Sequence, residues 1–213
     1  LHNNRHSFPT RRSSDLFFPN PSQDGLRTGS WSWYPLSLLG GGIEEDAGNP
    51  ALHMTGGAAA QADWTWMGIT LAFLGGNGAG ACYDGTAYTG VQFRVKGNIE
   101  AVDDPSTNWV GEDSNETYYN DKLIVCIVTA ETQTSKFGGD LDGTGGHFCI
   151  IAGVPISDNW STVQVPFSGL HTPTWGDTMS LTTLAKTKLQ AVDFGIVNTA
   201  HTVDIWLDDI SLY

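Results

Sequence analysis

From Thr202 to Tyr213 the chain alternates. Val203, Ile205 and Leu207 are apolar, while Thr202, Asp204 and Asp208 between and beside them are polar. A repeat of two sends successive side chains to opposite faces of an extended backbone, so this stretch reads as a half-buried strand. At Asp208-Asp209 the pattern slips by one residue, and Ile210 and Leu212 resume it on the shifted phase. Such a slip marks a β-bulge. The strand is expected to close the fold. The same repeat runs from Thr89 to Gly97, with Val91, Phe93 and Val95 facing a core and Gln92, Arg94 and Lys96 facing outward. Lys122 to Ala130 is apolar nearly throughout, as a central strand buried on both faces would be.

Further strands are predicted at Gly29 to Tyr34, Ala51 to Thr55, Trp64 to Phe73, His147 to Val154, Trp160 to Phe167 and Leu189 to Val197. Gly40-Gly41-Gly42 through Asn49-Pro50 reads as a flexible acidic loop, and residues 98–120 as a long polar insertion carrying Trp109, Tyr118 and Tyr119. Leu181 to Lys188 allows one short helical turn. Roughly nine to ten strands and almost no helix predict an all-β, two-sheet sandwich with antiparallel sheets. A chain of 213 residues suits one such domain, placed at residues 17–213. Residues 1–16 stand apart. His6 to Leu16 resembles a sequencing adapter translated in frame, which implies a metagenomic reading frame, and this tail is set aside as non-native and without order. The first strand is then expected to be cut short.

The formal net charge is -13, from 23 acidic against 10 basic residues. Three of those bases (Arg5, Arg11 and Arg12) lie in the excluded tail. This balance argues against binding nucleic acid, which needs a basic face to meet phosphates. No apolar run is long enough to span a membrane. The three cysteines are Cys82, Cys126 and Cys149. Cys126 and Cys149 each sit in a predicted strand, where they either face each other and pair or stay as buried thiols. An odd number leaves at least one thiol outside any bridge within the chain.

Eight tryptophans and six tyrosines in a weakly charged chain serve either as core or as platforms for the apolar faces of sugar rings. Platform candidates are Trp31, Trp33, Trp66, Trp109, Tyr118, Tyr119 and Trp175, whereas Trp160 and Trp206 are placed in the core or on a sheet surface. The outward row Gln92, Arg94 and Lys96 offers hydrogen bonds to hydroxyls, or is simply a solvated face. No constellation of a hydrolase is evident. Glu44-Glu45-Asp46 are consecutive, and neighbours on a strand point to opposite faces, unlike the paired carboxylates of a glycosidase. Neither a Gly-x-Ser-x-Gly nor a His-Glu-x-x-His run is present.

Four segments occur in a telling order: Tyr88 to Gly97, Asp158 to Ser168, Leu189 to Phe194, and Ile205 to Ile210. The series resembles the galactose-binding-like β-jelly-rolls found as carbohydrate-binding modules, especially those near family 11, over about Asp24 to Tyr213. The resemblance implies a jelly roll, secretion or a cell-surface location, a monomer, and non-catalytic binding of a plant or microbial polysaccharide. It places His53, His147 and Trp175 on a concave face; with the platform candidates Trp66, Trp109 and Tyr118 and the outward Gln92 and Arg94 they make up the expected binding site. It also implies a structural calcium held by Asp208 and Asp209 of the closing strand with an acidic residue near the first strand, for which Asp24 is the nearest match. The alternatives are an adhesion or structural domain that contacts protein, and a polysaccharide hydrolase or lyase.

Overall fold

The computed structural model describes residues 30–34, 39–57, 66–73, 82–101, 109–110, 117–118, 122–143, 145–173, 177–178, 180–197 and 201–213. Twelve strands lie within them: β1 (Ser30–Tyr34), β2 (Leu39–Asp46), β3 (Asn49–Gly57), β4 (Trp66–Ala72), β5 (Gly90–Ala101), β6 (Trp109–Val110), β7 (Thr117–Tyr118), β8 (Leu123–Thr129), β9 (Phe148–Val154), β10 (Ser161–Pro166), β11 (Leu189–Val197) and β12 (His201–Leu212). One sheet runs β1-β4-β11-β8-β9 and the other β10-β5-β12-β3-β2, with β6 and β7 forming a small hairpin of their own. Every pairing is antiparallel. Two antiparallel five-stranded sheets around one core make a β-sandwich, as the alternation predicted, and of the jelly-roll kind that the resemblance implied.

Alternation decides what faces the core. Val91, Phe93 and Val95 of β5, Val203, Ile205 and Leu207 of β12, and Leu52 and Met54 of β3 are buried from one sheet. Met67, Ile69 and Leu71 of β4, Val192, Phe194 and Ile196 of β11, and Leu123, Val125 and Ile127 of β8 answer from the other. Phe93 and Phe194 meet edge to face across the layers, with ring centroids 4.9 Å apart. All of β8 is buried, as its continuous apolar run requires. The slip in β12 is a bulge: the ladder with β5 shifts between Asp208 and Ser211, Asp209 takes a left-handed φ of 48°, and Ile210 returns to the core.

The stretch from Gly40 to Pro50 differs from the loop expected of it. It is a hairpin, β2 paired with β3 from Leu39↔Gly56 to Asp46↔Asn49. Its two-residue turn, Ala47 and Gly48, has φ of 51° and 84°, the left-handed pair that tight hairpins favour. An alanine in the first turn position hid that signal. The polar insertion also carries more strand than expected, since β5 continues to Ala101. Cys126 and Cys149 form a disulfide between β8 and β9, and Cys82 is exposed.

Candidate functional site

The outer face of the β1-β4-β11-β8-β9 sheet is floored by small residues at its centre. Beside the core-facing residues of β4 and β11, the outward positions are Gly68, Thr70 and Ala72 on one strand and Gly195, Asp193 and Ala191 on the other, paired in that order. Most of this central strip is covered: Gly68, Ala191, Asp193 and Gly195 are buried, and it reaches the surface over β4, where Thr70 and Ala72 are partly exposed.

One carboxylate stands in this floor. Asp193 is 5% exposed and its Oδ1 has no hydrogen-bond partner. Burial pushes its pKa up to about 7, against a smaller opposing effect from a Thr70 hydrogen bond. Beyond it in register lie Cys126 and then Cys149 of the disulfide, so a covalent cross-link braces the sheet at this level. His147, at the entry to β9, sets Nε2 3.9 Å from Asp193 Oδ2. Its Nδ1 lies 3.2 Å from Thr132 Oγ1. Thr132 Oγ1 also accepts from the Thr129 backbone N–H and lies within hydrogen-bond distance of the Thr129 hydroxyl and carbonyl, so both tautomers of His147 fit this arrangement. Burial lowers the His147 pKa to about 4, although a quarter of the side chain is exposed, so the ring is neutral at pH 7.

The outer face of the second sheet gathers three of the residues expected in the site: His53, Gln92 and Arg94. There they bond to neighbouring side chains. His53 lies between two carboxylates, Nδ1 2.8 Å from Glu44 and Nε2 2.8 Å from Asp204, and stacks on Trp206 at 3.8 Å between ring centroids. Gln164 donates to Gln92 Oε1. Arg94 lies over the Trp160 ring, and Lys96 approaches both Trp160 and Trp206. Asp46 accepts from Lys96 at 2.6 Å and from Trp160 Nε1 at 2.7 Å. Trp160 and Trp206 are thus half-buried sheet-surface residues, one of the two placements expected of them.

His147 stands on the other sheet from His53, so the expected site residues are divided between two faces. Trp66 opens β4 two residues before Gly68, Trp109 lies in β6 and Tyr118 in β7, but their side chains fall outside the described residues, as do Trp175 and Asp24. Asp208 and Asp209 share Arg94, whose Nη1 is 3.7 Å from one oxygen of each. No group of three metal-capable side chains occurs among the described residues, and Asp24, the third ligand expected for calcium, lies outside them. The residue that sequence reasoning passed over is Asp193. Its signal was one charge in an otherwise apolar strand.

The fold resembles the jelly rolls of solved carbohydrate-binding modules. The chain is similar to a family 11 carbohydrate-binding module from Clostridium thermocellum solved in complex with a β-1,3-1,4-mixed-linked tetrasaccharide, with a TM-score of 0.55 and 14% identity over 85% of this chain and 87% of that one. It is similar also to the family 11 module of a cellulosomal cellulase of that organism, with a TM-score of 0.52 and 12% identity over 85% and 86%. A family 30 module of another of its cellulosomal cellulases gives a TM-score of 0.50 and 13% identity over 88% and 91%. No family model and no curated protein matches the sequence.

Proposed function

We propose that this chain binds a polysaccharide without altering it chemically, on the outer face of the β1-β4-β11-β8-β9 sheet near Thr70 and Asp193. The observation that carries this reading is Asp193: a buried carboxylate with an oxygen that lacks a partner, in a floor of glycine, alanine and threonine. Buried polar atoms are normally paired, and this one, left unpaired, lies on the strand next to the partly exposed Thr70. Trp66, two residues from Gly68 on β4, is the nearest candidate in the sequence for an aromatic partner. The opposite outer face supports the reading less well, because the polar groups of His53, Gln92 and Arg94 are already engaged there. The fold adds weight, since a module with this architecture is named in complex with a mixed-linked tetrasaccharide. Retaining and inverting glycosidases use two carboxyl groups, whereas the one titratable group at ion-pair distance from Asp193 among the described residues is His147. A disulfide suits an oxidising, extracellular setting.

Affinity electrophoresis against mixed-linkage β-glucan, xylan and pectin tests the proposal. Retardation by at least one polymer, lost in Asp193→Ala and weakened in Trp66→Ala and Trp175→Ala, is the expected result. Retardation by none of them would overturn it. Release of reducing sugar from the same polymers would show an enzyme instead.

A further inference from the structure

We infer that His53 is a proton-operated clasp on the outer face of the β10-β5-β12-β3-β2 sheet: with two ring protons it ties edge strand β2 to β12, and on losing one it releases a side of the tie. The inference is independent of the glycan reading above. It starts from the two ring nitrogens. Nδ1 lies 2.8 Å from Glu44 Oε2 and Nε2 lies 2.8 Å from Asp204 Oδ1. A neutral imidazole has one N–H and one lone pair, so it donates to one of these carboxylates and sets its lone pair against the other. An imidazolium donates to both. The Glu44 and Asp204 side chains are 52% and 60% exposed, so hydration lets each keep its charge, and the ring is the group that supplies the second proton.

The register explains how two strands reach one ring. His53 pairs with Gly42 on β2 and with Trp206 on β12. Gly42 has open space where a side chain would stand, which leaves room for Glu44, two residues along β2, to lean back to the imidazole. Asp204, two residues before Trp206, arrives on the other diagonal. Trp206 lies flat against the ring, with 3.8 Å between centroids and 12° between planes, and an indole face favours a cation. The other charges facing this cluster are Lys96 of β5, whose Nζ is 5.2 Å from the Trp206 ring centroid, and Asp46 of β2, which binds that Nζ. On β3 itself the same-face neighbours of His53 are Ala51 and Thr55, which carry none. Apart from this clasp, β2 is joined to the sheet by its ladder with β3 and by Asp46 at the hairpin tip. The clasp therefore governs the body of β2 and not its tip.

Ring-nitrogen NMR of the unmodified protein tests this, with His53→Gln identifying the His53 signals. As pH is raised from about 5.5 to about 8.5, the expected result is one step in which the ring loses an N–H. Across the same step, hydrogen exchange of the amides from Gly42 to Glu45, corrected for the intrinsic effect of pH, should quicken by roughly fivefold, the size of an exposed ion pair. Exchange in β8 should not change. In His53→Gln the step in β2 exchange is absent. In the double variant Glu44→Gln, Asp204→Asn, the ring loses its proton about one pH unit lower, since two opposite charges are gone. A ring that titrates at the same pH in the double variant would overturn the clasp, and so would β2 exchange that is indifferent to the state of the ring in the unmodified protein. Neither outcome touches the glycan reading, which affinity electrophoresis decides separately.

Discussion

Asp46 and Trp160 flank opposite edges of one five-stranded sheet, yet the indole Nε1 of Trp160 donates a 2.7 Å hydrogen bond to the Asp46 carboxylate. The β2–β3 hairpin therefore curls over the sheet's outer face. β3 leaves β12 at the Leu207↔Leu52 pair, beside the bulge at Asp208, and its free tip folds inward. Lys96, from the strand between, binds the same carboxylate. Bonds from Lys96 and then Trp160 hold the Asp46 pKa below the usual carboxylate range.

The tip should come loose in Asp46→Ala. Hydrogen exchange of the amides from Ile43 to Ala51 is expected to accelerate, while exchange in β8 and β11 stays unchanged. Because the Asp46 pKa is depressed, its contribution is present above pH 4 and fades as pH falls through the lowered value. Equal exchange in the variant would show that the tip is held by its own ladder alone.

Asp193 works in the opposite sense. Its raised pKa means that the folded state holds a proton the unfolded chain has lost, so stability declines as pH rises from about 4 to about 7. Thermal unfolding of Asp193→Asn should show no such decline. The variant's advantage is expected to grow across that window toward an upper bound of roughly 4 kcal/mol, three pK units. Parallel melting curves from pH 4 to pH 8 would refute the assignment.

The disulfide closes a loop with a sequence separation of 23. Chain-entropy reasoning puts its contribution at about 3 kcal/mol. Replacing Cys126 and Cys149 together by alanine should lower the free energy of unfolding by that amount, read from urea unfolding. Reduction of the unmodified protein should match it, once the buried bridge has been opened under mild denaturant.

Gly97 has φ of 130°, and a methyl group there would run into the carbonyl oxygen of Asp204 on β12. Its own N–H is bonded to Ser157. Gly97→Ala should cost about 3 kcal/mol, readable in urea unfolding. Gly42→Ala is the control, since nothing lies near its added carbon.

Arg94 between Asp208 and Asp209 leads us to expect no calcium dependence. The melting temperature should be equal in saturating calcium and in EDTA. A rise of several degrees with calcium would show that these carboxylates, with ligands outside the described residues, hold an ion after all.

The strands were legible because each buried face imposes its own repeat. Val91, Phe93 and Val95 could be assigned to the core without coordinates, and the bulge at Asp208 could be seen as a slip of phase. The β2–β3 hairpin could not, because glycines carry no pattern and its turn uses Ala47 in a left-handed conformation that glycine or asparagine usually takes. The outer face of the other sheet was hidden for a related reason. Chemistry is sought where side chains are large, and the centre of this face is marked by Gly68, Ala72, Ala191 and Gly195, where they are small. Asp193 shows as the lone charge between Val192 and Phe194, but only the register with Thr70 and Cys126 gives it a place.

A face built from small side chains is changed by addition. Ala72 points away from the core and is partly exposed, so a larger side chain there would raise the surface beneath a bound glycan and leave the far side of the sheet as it is.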